Sequence, residues 1–286
     1  QIGLSFSKWL PQFNADLYYA YGSYGQFVES LDGVVAGNLV FMNLGEFTRT
    51  DASGNQLGKF RSNEFSIGLS YGTLLGDNGD FGLGFTVKYI QSNLAPAAAG
   101  QAGAGTGISG AFDIGFQWRP QQLSLLGMNL DNVVSLGVAL NNVGPKMTYI
   151  NESDPLPTML RFGGGFKVVE DEYNDLTLAL EFGKLLVSRD SLGSDPIPVS
   201  FITAWGEGGI ETSIGMEYWY DRIIALRGGF FSEPAAAGDR QYFTLGAGVR
   251  YEVFQLDFSY IITTEENHPL ANTLRFAMLV DWGLMQ

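Results

Sequence analysis

Side chains able to carry out covalent chemistry are few in this sequence. The one histidine, His268, sits in Glu265-Glu266-Asn267-His268-Pro269, and no serine stands beside it as a nucleophile that needs a base would. Cysteine is absent, which removes thiol nucleophiles, disulfide frameworks and cysteine-based zinc sites together. The run Gly103-Ala104-Gly105-Thr106-Gly107 has the glycines of a phosphate cradle but neither its lysine nor its strand-then-helix setting, so it reads as a loop. Asp51-Ala52-Ser53-Gly54-Asn55 reads as a turn rather than a cation site. Glu170, Asp171, Glu172 and Asp175 read as a solvated acidic turn. No catalytic residue, cofactor or metal is expected, and the protein is not expected to be an enzyme.

The composition narrows what could position any site. The chain has 286 residues, 38 of them glycine, with 16 basic and 30 acidic side chains and a net charge of −14. Charged residues make up 16%, well under the usual ~25% for soluble domains. Apolar residues at 45% exclude a disordered chain. The acidic balance excludes a nucleic-acid partner, which requires clustered Lys and Arg. A membrane-spanning helix needs ~20 mostly apolar residues. The longest uncharged run, from Tyr89 to Phe112, contains Pro96 and several Gly, Gln, Ser and Asn, so no helical span is expected.

The repeating period is two. Phe81, Leu83, Phe85, Val87 and Tyr89 fall on one face, and Gly82, Gly84, Thr86 and Lys88 on the other, as in a strand. Fourteen such segments begin near Ile2, Asn14, Gly33, Glu64, Phe81, Ile108, Val133, Thr158, Leu176, Glu211, Ile223, Gln241, Phe254 and Thr273. Most run about ten residues, which is the length a tilted strand needs to cross a bilayer. The links alternate long and short, with Glu46–Asn63, Ser92–Gly107, Pro145–Pro157 and Lys184–Ile210 among the long ones. Leu10–Phe13 is a short exception, and Arg119–Asn132 is an inner link with room for a helical turn. A soluble double sheet also alternates. Its solvated face would not be built from Gly, Ala and Ser, however, nor its other face from aromatics and leucine on nearly every strand. The expectation is therefore one all-β domain over 1–286, a fourteen-stranded antiparallel outer-membrane barrel bathed in lipid, with both termini periplasmic. Tyr18, Tyr19, Tyr24, Trp118, Tyr149, Trp219, Tyr220, Tyr242, Tyr251 and Trp282 are expected in interfacial belts.

Alternation points Lys88, Asp113, Arg161, Lys167, Glu181, Glu217, Arg227, Arg250, Asp257, Arg275 and Asp281 into the lumen. On the lipid face each Arg or Lys would cost ~2–4 kcal/mol near the midplane. Mixed signs predict paired charges rather than a selectivity ring. In the long loops, Phe47, Leu94, Pro96, Pro145, Met147, Tyr149, Ile150 and Leu156 are apolar residues in positions expected to be exposed. Such patches mark interaction sites, and an extended partner could dock there by backbone pairing and apolar contact.

Several strings, in order and spacing, carry a family resemblance. They are Asp51–Gly58 (DASGNQLG) with Asn63–Phe65 (NEF), Asn142–Tyr149 (NVGPKMTY), Leu156–Phe166 (LPTMLRFGGGF), Gly215–Tyr220 (GMEYWY), Ala225–Phe230 (ALRGGF), Arg240–Arg250 (RQYFTLGAGVR) and His268–Phe276 (HPLANTLRF). Over nearly its whole length the chain resembles the PorV family of the type IX secretion system, within the PorV/PorQ group and the wider FadL-like barrels. The resemblance implies a fourteen-stranded outer-membrane barrel and a non-enzymatic secretion subunit. It implies association with the translocon barrel, receipt of cargo proteins through their C-terminal domains, and delivery to the surface sortase complex. The other reading, drawn from FadL-like barrels at large, is a transporter of hydrophobic small molecules, and the charged lumen opposes it. The chain opens at Gln1 directly in an alternating segment. The leader and pre-barrel segment that the family carries are accordingly expected to lie outside it.

Overall fold

The structure, a computed structural model, describes residues 1–13, 16–51, 53–95, 105–149, 152–190, 193–265 and 268–285. Fourteen strands form one closed antiparallel barrel. They are β1 (Ile2–Lys8), β2 (Tyr18–Val28), β3 (Gly33–Thr50), β4 (Gln56–Leu75), β5 (Phe81–Ala95), β6 (Gly105–Trp118) and β7 (Val134–Val143). The circuit continues through β8 (Met159–Glu170), β9 (Asn174–Leu185), β10 (Glu211–Tyr220), β11 (Ile224–Ser232), β12 (Gln241–Tyr251), β13 (Phe254–Thr263) and β14 (Leu274–Val280). Every strand pairs with its neighbour in the chain, and β1 closes on β14 with Phe6 opposite Phe276. Closure leaves no edge, so every ladder group in the wall has a partner without water.

The outward face explains where such a barrel must sit. Leu69 is 68% exposed, Leu256 60% and Phe276 54%, and the same holds for the outward residues of strand after strand. An apolar surface of that extent is untenable in water and is ordinary in lipid. No helix of the described residues is long and apolar enough to cross a membrane. Aromatic pairs knit neighbouring strands on this face, with Phe258 and Phe276 at 5.5 Å and Phe162 and Phe182 at 5.3 Å between ring centres. At one end the apolar band stops at a polar row. Asn43, Asn63, Asn93 and Thr106 stand opposite one another on β3 to β6, and Asn93 donates to Asn63 Oδ1 at 3.0 Å.

Both termini lie at one end of the barrel, here the terminal end, where Gln1 and Trp282 stand close to Gly25 and Tyr24. The connections there are short apart from the 119–133 link. Most of the longer ones gather at the opposite, distal end.

Three local expectations are corrected. Glu46–Asn63 is not a loop, because β3 and β4 run on past the wall as a two-stranded ribbon closed by the turn at Asp51–Asn55. Phe47 stacks on Phe60 at 5.7 Å, and Lys59 pairs with Glu46 at 2.7 Å, so the ribbon carries its own cross-strand pairs. The Arg119–Asn132 link forms no helical turn. It folds as a small hairpin, Ser124–Leu125 against Met128–Asn129, with Leu126 at φ 53° and Gly127 at φ 79°, the backbone that a two-residue hairpin turn requires. Of the aromatics expected in belts, Tyr19, Trp219 and Tyr242 occupy lumen-facing positions by register, and Tyr149 packs over the lumen.

Candidate functional site

The lumen is crossed by ion pairs between strands that the closed register brings together. Lys88 on β5 meets Asp113 on β6 at 2.7 Å. Arg161 on β8 pairs with Glu181 on β9. Lys167 lies 3.3 Å from Asp175 and also reaches Glu170. Arg227 on β11 spans two neighbours, with Nε 2.6 Å from Glu217 on β10 and Nη1 2.6 Å from Asp257 on β13. Its second contact passes over β12, where Gly248 leaves the space, since a Cβ there would lie 2.3 Å from Asp257 Oδ1. Gln255 extends the chain of contacts. It donates to Asp257 Oδ2 at 2.7 Å and accepts from Arg250 Nη2 at 2.7 Å. Arg250 and Arg227 lie 4.4 and 5.5 Å from the Trp219 ring centre, a cation–π arrangement that holds this indole inside the barrel. A cavity of about 1620 Å³ lies alongside, lined among others by Arg161, Glu181, Glu217, Arg227 and Tyr242.

At the distal end the loops fold inward. The turn begins at Asn142, a bulge residue on β7 with φ 58°. Its amide donates to Asp113 Oδ1 at 2.7 Å, its Oδ1 accepts from Lys88 Nζ at 2.6 Å, its Nδ2 donates to Pro157 O at 3.0 Å, and its carbonyl accepts from Thr158 Oγ1 at 2.9 Å. This one residue, by its backbone and side chain, thus ties the lumen pair to the far end of the 143–158 segment. That segment lays a hairpin, Met147–Tyr149 against Glu152–Asp154, on the inner face of β5 and β6. Met147 and Leu156 are buried with Ala111, and Ile90 and Tyr149 pack around them. Gly107 makes the fit possible, because a Cβ there would lie 2.6 Å from Met147 Cγ and 2.7 Å from Tyr149 Cε1.

The loop between β9 and β10 completes this cap. Lys146 Nζ donates to Ser194 O at 2.5 Å and links the two loops. Ser188 donates to Glu207 at 3.0 Å and Thr203 to Asp195 at 2.7 Å. Lys184, almost fully buried, donates to the carbonyls of Glu207 and Gly209. Between the two loops lies a cavity of about 430 Å³ whose walls include Val143, Pro145, Leu156, Leu186, Pro196 and Ile197. Beside it a helical turn, Ser200–Thr203 running into Ala204–Gly206, turns an apolar face outward. Val199 is 48% exposed, Ile202 79% and Trp205 54%.

The expected loop residues therefore divide. Phe47 on the ribbon and Leu94 at the end of β5 are exposed. Pro145 lines the small cavity. Met147 and Leu156 are corrected, since both are buried and hold the cap down on the barrel wall rather than facing outward. Pro96 and Ile150 lie outside the described residues. The Val199, Ile202 and Trp205 face was missed. Its signal was three apolar residues at a spacing of three inside the longest loop, a helical period in a chain otherwise read by twos.

Over residues 1–191 the sequence matches the family described as type IX secretion system protein PorV. The chain belongs to the PorV family. PorV-family proteins are components of type IX secretion rather than enzymes, and with the barrel fold this places the chain in the bacterial outer membrane. No curated protein sequence matches the chain. Among solved structures, the toluene transporter TodX of Pseudomonas putida is similar at 13% identity, covering 97% of this chain and 86% of TodX with a TM-score of 0.53. A deltaS2S3 mutant of TodX, described as a monoaromatic hydrocarbon channel, is similar at 12% identity, covering 97% and 87% with a TM-score of 0.53. A Pseudomonas aeruginosa FadL homologue gives 10% identity, 98% and 89% coverage and a TM-score of 0.46. At these identities the TodX likeness shows a shared fold. The PorV match shows the family.

Proposed function

We propose that this PorV-family barrel docks on the type IX translocon barrel, receives cargo proteins by their C-terminal domains, and passes them to the surface sortase complex. In this reading both termini face the periplasm and the distal end faces outward. The barrel is a rigid holder, because its lumen is braced by ion pairs and its wall has no free edge. The distal surface does the binding. The observation that carries the reading is the exposed apolar face of Val199, Ile202 and Trp205 beside the 430 Å³ cavity, at the end opposite the termini. A surface turn held in place by hydrogen bonds has no internal need for such a face, and a partner does. The ribbon offers a second surface. Residues 44–50 and 56–62 pair with each other but not with β2 or β5, so an extended chain can add to either edge, with Phe47 alongside. Leu94 and Pro145 border these two surfaces, and Met147, Tyr149 and Leu156 position the cap. The transporter reading rests on the shared fold with TodX, and the Arg161, Glu181, Glu217 and Arg227 lining opposes it.

The test is a pull-down from gently solubilised native membranes carrying either the wild-type chain or I202S/W205S. The double variant should fold and keep the barrel's heat-resistant migration on gels while losing cargo C-terminal domains. Undiminished cargo recovery would overturn the docking assignment. Recovery of wild-type barrel alone, with saturable binding of hydrophobic small molecules, would favour the transporter.

A further inference from the structure

Among the described cations on the lumen face of the barrel, Arg275 alone makes no ion pair and no hydrogen bond. Lys88, Arg161, Lys167 and Arg227 each meet a carboxylate, and Arg250 meets Gln255 and Trp219. A chain with 30 acidic against 16 basic side chains has no shortage of carboxylates to supply. Yet the positions beside Arg275 carry none. Its ladder neighbours are Ser7 on β1 and Ser259 on β13, and the position beyond Ser7 is Tyr19 on β2.

The register puts Arg275, Ser7 and Tyr19 in one row across three adjacent strands. With each step about 5 Å, a guanidinium and a phenol leaning over a serine address the same space. Tyr19 and Tyr242 both lie within electrostatic reach of Arg275. Neither phenol has a hydrogen-bond partner among the described residues. In the turn above the site Leu270 and Thr273 are buried and Thr273 Oγ1 donates to Leu270 O at 2.7 Å, and none of its described residues pairs with Arg275. On the far side of Tyr242 stand Glu211 and the Arg240–Glu233 ion pair. Arg161 offsets Glu211, and Arg240 neutralises Glu233. Tyr242 also lines the large lumen cavity, which gives a path to the site.

The row holds a planar guanidinium with its N–H donors and one phenolic O–H, with the Tyr242 phenol within electrostatic reach of the guanidinium. Among the described residues the guanidinium has no anionic acceptor. We propose that Arg275, Tyr19 and Tyr242 form a binding site for a carboxylate inside the barrel, held bidentate by the guanidinium with the phenols donating to the same oxygens. The carboxylate comes either from a small free acid or from the end of a peptide chain.

Calorimetric titration of the full purified chain in nanodiscs tests the proposal. The probes are benzoate, a short peptide with a free C-terminal carboxylate, and the same peptide amidated. Saturable binding of benzoate with the free-acid peptide, and none of the amide, is the expected result. Binding of the free-acid peptide alone assigns the carboxylate to a chain end. R275Q should weaken binding about tenfold or more and R275K less, because lysine keeps the charge and loses the fork. Y19F and Y242F leave the charge in place and should each weaken binding by a smaller factor. They serve as the readout if R275Q does not migrate as a folded barrel. Absence of saturable binding by any of the three probes, equal binding of the amide, or full affinity in folded R275Q would overturn the proposal.

Discussion

Arg227 Nη1 lies 2.6 Å from Asp257 Oδ1 although a whole strand, β12, runs between their own strands. The contact exists because β12 presents Gly248 at the crossing point, where any side chain would overlap Asp257 Oδ1. Both side chains are partly buried, at 28% and 24% exposure, so the pair is less screened than a surface ion pair. Glu217 takes the Arg227 Nε donor, and Gln255 donates to the other Asp257 oxygen.

Changing the strand between them should therefore act like changing the pair. G248V is expected to break the Arg227–Asp257 contact and to destabilise the barrel by about 1–3 kcal/mol, similar to removing one partner of a hydrogen-bonded charge pair. D257N on the G248V background should cost much less than on the wild type, because the contact is already lost. Urea unfolding of the four proteins, followed by tryptophan fluorescence, gives the coupling. Additive effects would show that Gly248 matters for some other reason.

Gly107 sets how far the cap can enter the lumen. A valine there meets Met147 and Tyr149 inside contact distance, so G107V should lift the hairpin off Ala111 and Ile90. In planar bilayers, G107V is expected to raise conductance above that of the wild type. M147G, which removes one of the two obstructing side chains instead, should partly restore closure when combined with G107V. Equal conductance in wild type and G107V would mean that the hairpin does not occlude the pore.

The fold was legible because a barrel wall repeats one instruction. Phe81 to Tyr89 alternates so strictly that strand and face follow from counting by twos, and the same reading puts Lys88 opposite the lipid. It failed where a residue breaks parity. The bulge between Asn43 and Gly45 turns the ribbon's faces over, so Glu46–Asn63 reads as a loop although 45–50 pair with 56–62. The inward fold of the cap was hidden for another reason. Met147 and Leu156 are apolar, and composition alone does not separate an exposed patch from a small core that closes against a distant strand. The Arg227–Asp257 bridge needed the three-dimensional crossing over Gly248, which no local pattern encodes.

The turn that closes the ribbon should respond to acid. Asp51 is held below the ordinary aspartate range first by the side chain of Asn55 and then by backbone amides, chiefly that of Asn55. A carboxylate whose folded pKa is depressed stabilises above its unfolded value and loses that contribution as pH falls through the folded one. The turn should be intact at neutral pH and loosen as pH drops below ~3.9, the unperturbed aspartate value. The protection of the Ser53 and Asn55 amides, which both donate to Asp51 Oδ1, measured against intrinsic exchange at the same pH, should fall in that window. D51N should show fast exchange already at neutral pH. Protection unchanged from pH 7 down to about 2, well below the unperturbed aspartate value, would refute the role given to Asp51.

Asn142 combines a backbone requirement with a side-chain one, and two substitutions separate them. Its φ of 58° is uncommon for most residues and better tolerated by Asn and Gly. Its side chain also accepts from Lys88 and donates to Pro157 O. N142A loses both features and is expected to cost about 3–4 kcal/mol, the sum of a left-handed backbone penalty of ~1–2 and of two lost hydrogen bonds at about 1 each. N142G keeps the backbone and should cost about half as much. The variants should also differ in the cap. Because Asn142 Nδ2 holds Pro157 and its carbonyl holds Thr158, N142A should expose Met147 and Leu156 to proteolysis of the 143–158 segment, while the barrel strands stay resistant. Equal stability of N142A and N142G would show that the backbone geometry contributes nothing and that the side-chain contacts alone fix the turn. Uniform proteolysis across the chain in N142A would show instead that the residue braces the whole wall rather than the cap.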